Sequence, residues 1–164
     1  MAGNAQYRLQ TLLELREKRK DEAEQYLSEC LQNLKQEQER LREMEAELER
    51  MIAKREAKKR EYAEKQMRGE MDAQGAIAAN TYIDRLKEQE QAQENAIEGQ
   101  MSVVAEKKQE VEGARQDLLD ASQQLKALEK HKEKWQQEQK KERERRQEEA
   151  LDELTQAMYS HRHD

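Results

Sequence analysis

The chain has 164 residues, of which 41% are charged and 34% hydrophobic, and its formal net charge is −6. This balance argues against a basic nucleic-acid binder, and without a run of about 18 apolar residues no segment is expected to insert into a membrane. The N-terminus lacks the apolar core of a signal peptide, and the single cysteine, Cys30, cannot form an internal disulfide, which fits a reducing cytosol.

Strong helix formers dominate the composition. More than half of the residues are Ala, Glu, Lys, Arg or Leu, and proline is absent. This composition is typical of a long helix or a coiled coil. The high charge would also suit a disordered chain, so the spacing of the apolar residues has to distinguish the two.

The first half of the chain carries its apolar residues on a heptad grid. The a positions hold Leu13, Leu27, Leu34, Leu41, Leu48 and Tyr62, and the d positions hold Ala23, Cys30, Glu37, Met44 and Met51. Lys20 and Arg55 interrupt the a positions. The grid predicts a helix over about residues 5–68 with one narrow apolar seam, in which Cys30 is a small core residue.

The stretch "MRGEMDAQG", residues 67–75, contains two of the five glycines, Gly69 and Gly75. Both glycines can take the positive φ that a reversal needs, and Asp72 suits a turn. The following "AIAANTY" is short-chained and less charged. Together these features predict a bend over about residues 69–79.

A second grid follows the bend. Its a positions hold Ile83, Ile97, Val104, Val111, Leu118 and Leu125, and its d positions hold Leu86, Ala114, Ala121, Leu128 and Trp135. This grid predicts a helix over about residues 80–158, followed by a frayed tail. Leu151, Leu154 and Met158 form a further apolar stripe, which indicates either a partner surface or closure onto the first helix after a change of register.

The two grids predict an all-α fold in which two long helices form one antiparallel coiled-coil hairpin over residues 1–164. Large residues face small ones when partners are paired so that their numbers add to 148. In this register Cys30 meets Leu118, Leu13 meets Trp135 and Lys58 meets Glu90. The chain then folds back at residue 74, inside the glycine stretch.

The sequence contains no catalytic constellation, so we expect a protein that is not an enzyme and that needs no cofactor. His161 and His163 in the terminal "HRHD" could bind a metal, but a frayed tail is the expected reading and no metal site is predicted. The basic run "KREAKKR", residues 54–60, is either a solvated helix face or a contact for an acidic protein surface or acidic lipid headgroups.

Two segments carry a family resemblance. "YRLQTLLELREKRKDEAEQYL", residues 7–27, resembles the start of the type III secretion central-stalk family, which includes flagellar FliJ and injectisome YscO-type proteins. "LKALEKHKEKWQQEQKKERERRQEEALDELTQAMYSHR", residues 125–162, resembles the end of the YscO-type proteins, with the pair Asp152 and Glu153 near its close. The glycine bend followed by "TYIDRL" fits the same order. The C-terminal part favours the injectisome branch, and the flagellar branch is the alternative.

The resemblance implies a two-helix stalk in the middle of the hexameric secretion ATPase ring. Such a stalk promotes ring assembly and activity, contacts the export-gate protein of the inner membrane and in some members binds secretion chaperones. It implies a cytoplasmic protein, peripherally associated with the inner-membrane secretion apparatus, with a role in virulence where the system is an injectisome. The alternatives are a generic coiled-coil scaffold and a rotary-ATPase peripheral stalk.

Carried onto this chain, the resemblance places the ATPase contacts at the paired termini and the gate contacts in the tip half. The residues expected to bind the ATPase are Leu12, Leu13, Arg16, Arg19, Arg143, Arg146, Leu151 and Leu154. The residues expected to bind the export gate are Lys58, Tyr62, Tyr82 and Leu86.

Overall fold

The structure, a computed structural model, describes residues 6–163, with the His163 side chain outside the description. Two helices account for nearly all of this range: α1, Gln10–Met67, and α2, Ala73–His163. They pack against each other as a helical hairpin without strands in the described range, so the predicted all-α fold is confirmed. Neither helix contains an apolar stretch long enough to cross a membrane within that range.

The burial pattern confirms both heptad grids. Along α1, buried or half-buried residues recur at alternating steps of three and four from Leu13 to Tyr62, and along α2 they recur in the same way from Ala79 to Glu142. Lys20 and Arg55, which interrupt the grid, also lie half-buried in the seam. Long side chains can lie along an apolar surface while their charged ends reach water, so these two positions keep the seam continuous.

The described chain divides into two compact units. The first unit combines residues 6–25 with residues 116–163 of α2, and its buried residues include Leu13, Ala121 and Leu125. The second unit, Tyr26–Arg115, contains the bend. Its best-buried cluster is Cys30, Val111 and Ala114, with Leu27 and Leu34 packed against it.

The predicted register is wrong by one heptad in the second unit. Cys30 packs with Val111 and Ala114 where Leu118 was expected. Glu90 binds Arg55, at 2.7 Å between Nε and Oε2, where Lys58 was expected. The numbers of these partners add to less than 148, and the same holds in the first unit for Arg16 and Gln124, which share a hydrogen bond.

The bend explains the error, because it is shorter than predicted. Only residues 68–72 lie between the helices, so the expected bend over 69–79 is wrong beyond Asp72. Asp72 caps α2: its Oδ1 accepts a hydrogen bond from the Gly75 amide at 2.6 Å, which is the N-cap arrangement. The alanine-rich segment after it therefore starts the helix instead of extending the turn. The fold-back point then precedes residue 74.

The two glycines of the bend have different roles. Gly69 has φ of 71° and ends α1, with its amide bonded to the Gln66 carbonyl and the Glu70 amide bonded to the Lys65 carbonyl. These two bonds are the Schellman arrangement, in which a left-handed residue satisfies the last carbonyls of a helix. Gly75 is helical, and a Cβ there would lie 3.0 Å from Asp72 Oδ1.

The start of α1 and the end of α2 differ from the predicted bounds. Residue 5, the expected start of the first helix, lies outside the described residues, and residues 6–9 precede α1 without being helical. The expected frayed tail after residue 158 is helical through His163. The single-hairpin domain over residues 1–164 stays a prediction, since the two units are described separately.

We predict that Gly69→Ala lowers the free energy of unfolding by about 1 kcal/mol, because an L side chain is strained at this φ. Urea unfolding followed by circular dichroism measures the change. Gly99→Ala is the matched control: Gly99 is helical with open space at its Cβ, so this change should stabilise by up to about 1 kcal/mol. Equal effects of the two changes would contradict the role given to Gly69.

Candidate functional site

The residues expected to bind the ATPase all lie in the first unit, and we call them the terminal surface. Leu13 is buried in the seam, with 4% of its surface exposed, and so holds the helices together in this structure. Leu12 and Arg16 are half-buried. The other members are exposed: Arg19, Arg143, Arg146, Leu151 and Leu154.

Three members of the terminal surface meet on α1. Leu12, Arg16 and Arg19 line a shallow groove together with Leu15, Lys18 and Glu22. Leu15 was not predicted as a contact residue, yet 59% of its surface is exposed. In the sequence, Leu15 lies close to Leu12 and Leu13, and Leu13 was assigned to the seam. The exposure of Leu15 in the structure identifies it as a surface residue.

The remaining members lie on the last part of α2, residues 143–163, which we call the overhang. Every residue from Arg143 to Arg162 is exposed. Leu151 is 62% exposed, and Leu154 and Met158 are 58% exposed each. The predicted apolar stripe is therefore present on an exposed helix, and closure onto α1, the alternative considered from the sequence, does not occur in the described residues.

Charged side chains support the helix at the base of the overhang. Arg145 Nη2 contacts Glu142 Oε1, and Arg145 Nη1 contacts Glu149 Oε1, each at 2.6 Å. Arg146 also reaches Glu142, at 3.3 Å. The hydrogen bond from Arg145 lowers the pKa of Glu142, because it favours the charged carboxylate. Such pairs, three or four residues apart, stabilise a helix that has no neighbour.

An aromatic cluster joins the start of the described chain to α2. Tyr7 is buried, and its ring centroid lies 5.3 Å from that of Trp135 and 5.7 Å from that of His131. The Tyr7 hydroxyl and His131 Nδ1 share a hydrogen bond of 2.5 Å. Trp135 packs against Tyr7, where Leu13 was the expected partner, and the cluster was missed because Tyr7 precedes the heptad grid of α1.

The residues expected to bind the export gate lie in the second unit, and we call them the tip surface. Leu86 is buried in the seam, while Lys58, Tyr62 and Tyr82 are half-buried. Lys58 and Tyr62 lie one turn apart on α1, and Tyr82 lies on α2. A hydrogen bond with Glu61 raises the pKa of Lys58, whose Nζ lies 3.2 Å from the Glu61 carboxylate.

Polar residues occupy several seam positions of the second unit that lie farther from the bend than the tip surface. Glu90 is buried and bonds Arg55, and the Gln93 amide donates to the Met44 carbonyl at 3.0 Å. Gln100 is also buried and donates to the Glu37 backbone and carboxylate. Every one of these polar groups has a partner, so the seam tolerates them and gains a defined register.

No group of His, Cys, Asp and Glu in the described residues could hold a metal. The pair His161 and His163 was not predicted as a metal site, and the His163 side chain lies outside the description. The arrangement as a whole offers exposed apolar and charged helix surfaces, which are suited to binding other proteins.

Comparison with known proteins identifies the family. The profile of the YscO-like protein family matches residues 4–164. The chain belongs to the YscO-like family. The YscO-like chain also resembles a solved structure of a candidate YscO homolog from Chlamydia trachomatis, with 28% sequence identity, a TM-score of 0.82, and coverage of 95% of this chain and 96% of that one. No curated protein matches it.

Family membership confirms the resemblance that residues 7–27 and 125–162 carry, and it gives this YscO-like chain a role associated with type III secretion. The family is a secretion component rather than an enzyme family. The contact residues of the terminal and tip surfaces stay predictions.

We predict that Tyr7→Ala loosens the start of α1 by about 2 kcal/mol, because a buried aromatic ring is removed from Trp135. Amide hydrogen exchange over the first turns of α1 measures the loss, and Trp135, the only tryptophan, reports it as a red-shifted emission. Tyr7→Phe keeps the ring packing and should have a smaller effect. If both variants exchange like the wild type, the cluster does not hold the N-terminal segment.

We predict that Arg55→Ala lowers the urea midpoint of the YscO-like hairpin, because Glu90 would keep a buried charge without its partner. Arg50→Ala breaks the exposed pair with Glu47 and should change the midpoint much less. Replacing both Arg55 and Glu90 by Leu should recover most of the loss. Equal midpoints for the Arg55 and Arg50 variants would show that the seam pair is not structurally important.

Proposed function

We propose that this YscO-like protein is the central stalk component of a bacterial type III secretion system. In this role it binds inside the hexameric secretion ATPase ring, promotes ring assembly and activity, and links the ring to the export gate of the inner membrane. The proposal rests on the family, on the helical hairpin, and on the exposed surfaces that each of the two units carries.

The overhang is the observation that carries the proposal. A helix whose Leu151, Leu154 and Met158 are all more than half exposed leaves apolar surface in water, which is unfavourable unless a partner covers it. The basic residues Arg143 and Arg146 lie at its base. A surface that combines an apolar stripe with arginines suits a protein interface, in which arginine and large apolar residues are enriched.

The tip surface is the proposed contact for the export gate. Lys58, Tyr62 and Tyr82 are half-buried, so each offers part of its side chain to a partner. Leu86 is buried and would support these residues from the seam instead of touching the gate directly. Secretion chaperones are further proposed partners, and the protein is proposed to act in the cytoplasm at the inner-membrane apparatus.

The proposed mechanism is a bias on the conformations of the ATPase subunits. A hairpin in the lumen of a ring presents different side chains to different subunits. If a subunit conformation that favours assembly or hydrolysis binds the terminal surface more strongly, the stalk shifts the population of subunits toward that conformation. The stalk needs no chemistry of its own for this action.

We predict that changing both Leu151 and Leu154 to Asp abolishes ATPase stimulation while helicity is retained. The purified secretion ATPase of the same organism is mixed with the full chain, and ATP hydrolysis and ring assembly are measured. Wild type should stimulate hydrolysis at about one chain per six ATPase subunits, the stoichiometry of one stalk in a hexamer. The Asp variant should stimulate no more than buffer, because charges replace the apolar contact.

The matched control changes Gln156 and Ser160 to Asp. It adds the same two charges to the overhang at exposed positions on its other side, and stimulation should be retained. Stimulation by the Leu151 and Leu154 variant at the wild-type level would refute the overhang as the ATPase contact. Absence of both binding and stimulation by a folded wild-type hairpin would favour a coiled-coil scaffold instead.

A further inference from the structure

The apolar stripe of the overhang does not continue the seam of α2. If the heptad grid is extended past Glu142, its positions are filled by Arg146, Glu149, Glu153 and Gln156, all of them polar. With 3.6 residues per turn, the stripe of Leu151, Leu154 and Met158 lies roughly 150° around the helix from these positions. A longer α1 in the same seam would leave the stripe uncovered, so the stripe fits a different helix.

The overhang cannot cover its own stripe. The helix α2 is unbroken from Ala73 to His163, and the overhang is its last part. Folding back onto α1 of the same chain would require α2 to break. Burial of the stripe therefore needs a surface of another molecule.

The groove on α1 combines an apolar surface with positive charge. Leu12 and Leu15 provide its apolar surface, and three cations surround them, Arg16, Lys18 and Arg19, against the single acid Glu22. Arg16 hydrogen-bonds Gln124, a neutral residue. Neither Lys18 nor Arg19 forms an ion pair within the described residues, so their charge is available to a partner.

The overhang carries the opposite charge beside its stripe. Glu144, Glu148 and Asp152 follow one another at four-residue spacing and so form a row along one flank. Within residues 6–163 these three carboxylates form no ion pair, unlike Glu142 and Glu149. The other flank carries Ala150 and Ala157, whose small side chains permit close approach of a second helix.

We propose that a second copy of this chain covers the stripe. The overhang of each copy packs Leu151, Leu154 and Met158 against the α1 groove of the other copy, with the acidic row toward Lys18 and Arg19. The contact is reciprocal, because each copy has both one overhang and one groove, and the pair is closed as a two-fold dimer. This proposal does not rest on ATPase binding. Because the proposed ATPase contact uses the same stripe, a copy in the dimer has to dissociate before its overhang binds the ring.

Self-association of the purified full chain tests the proposal without any ATPase. Sedimentation equilibrium over a range of micromolar concentrations should show a monomer–dimer equilibrium that weakens as salt is added, since ion pairs contribute to it. Changing Leu151 and Leu154 to Asp should give a monomer, whereas the Gln156 and Ser160 control should still dimerise. A wild type that stays monomeric, or a dimer that survives the leucine changes, would overturn the proposal.

A charge-reversal pair identifies the two surfaces directly. One chain carries Lys18→Glu with Arg19→Glu, and the other carries Glu148→Lys with Asp152→Lys. Each alone should self-associate at least about tenfold more weakly than wild type, because like charges meet at both contacts. The equimolar mixture should form heterodimers, because opposite charges meet again at both contacts.

Circular dichroism verifies that both reversed chains are helical before they are mixed. Two folded, weakly associating chains that fail to associate with each other would overturn the pairing of overhang with groove. The ATPase assay is separate, so loss of stimulation with intact dimerisation, or the reverse, distinguishes failure of the proposed function from failure of this inference.

Discussion

The narrow apolar seam between α1 and α2 is the constraint on which the rest of the structure depends. The chain cannot build a compact core in addition to the seam, because more than two fifths of its residues are charged and its aromatic residues are few. Burial is confined to one side of each helix, at steps of three and four residues. Everything outside the seam is surface, so the seam leaves most of the sequence free to bind other molecules.

The position of the bend determines which residues meet in that seam. Asp72 is the last of the five connecting residues and caps the start of α2, and Gly69 ends α1 with a positive φ. Facing partners have residue numbers that add to twice the number of the fold-back point. Displacing that point by a few residues would therefore give every residue a partner twice as many positions away along the other helix. Partnered polar groups such as Arg55 with Glu90 and Gln100 with Glu37 then favour the observed register over its neighbours.

The seam was predictable from the sequence, and the register was not. Heptad spacing depends only on residues along one helix, so Leu13 to Tyr62 and Ile83 to Trp135 could be assigned directly. The register depends on a cap, and Asp72 was interpreted as part of a longer turn. A heptad shift also pairs large with small residues, so packing alone did not expose the error. Burial of Leu13 and Leu86 followed from their seam positions, whereas Tyr7 with Trp135 joined segments that no local pattern connects.

The ion pairs at the base of the overhang make the stability of this part of α2 depend on salt. Where the seam is present, packing holds the helix, and salt has little influence on it. In the overhang the helix relies on Glu142, Arg145, Arg146 and Glu149, whose exposed attractions are screened by dissolved ions. Ionic strength therefore adjusts the stiffness of this one segment while the paired helices keep theirs. This last part of α2 therefore responds to the ionic content of its surroundings more strongly than the paired parts of the helices do.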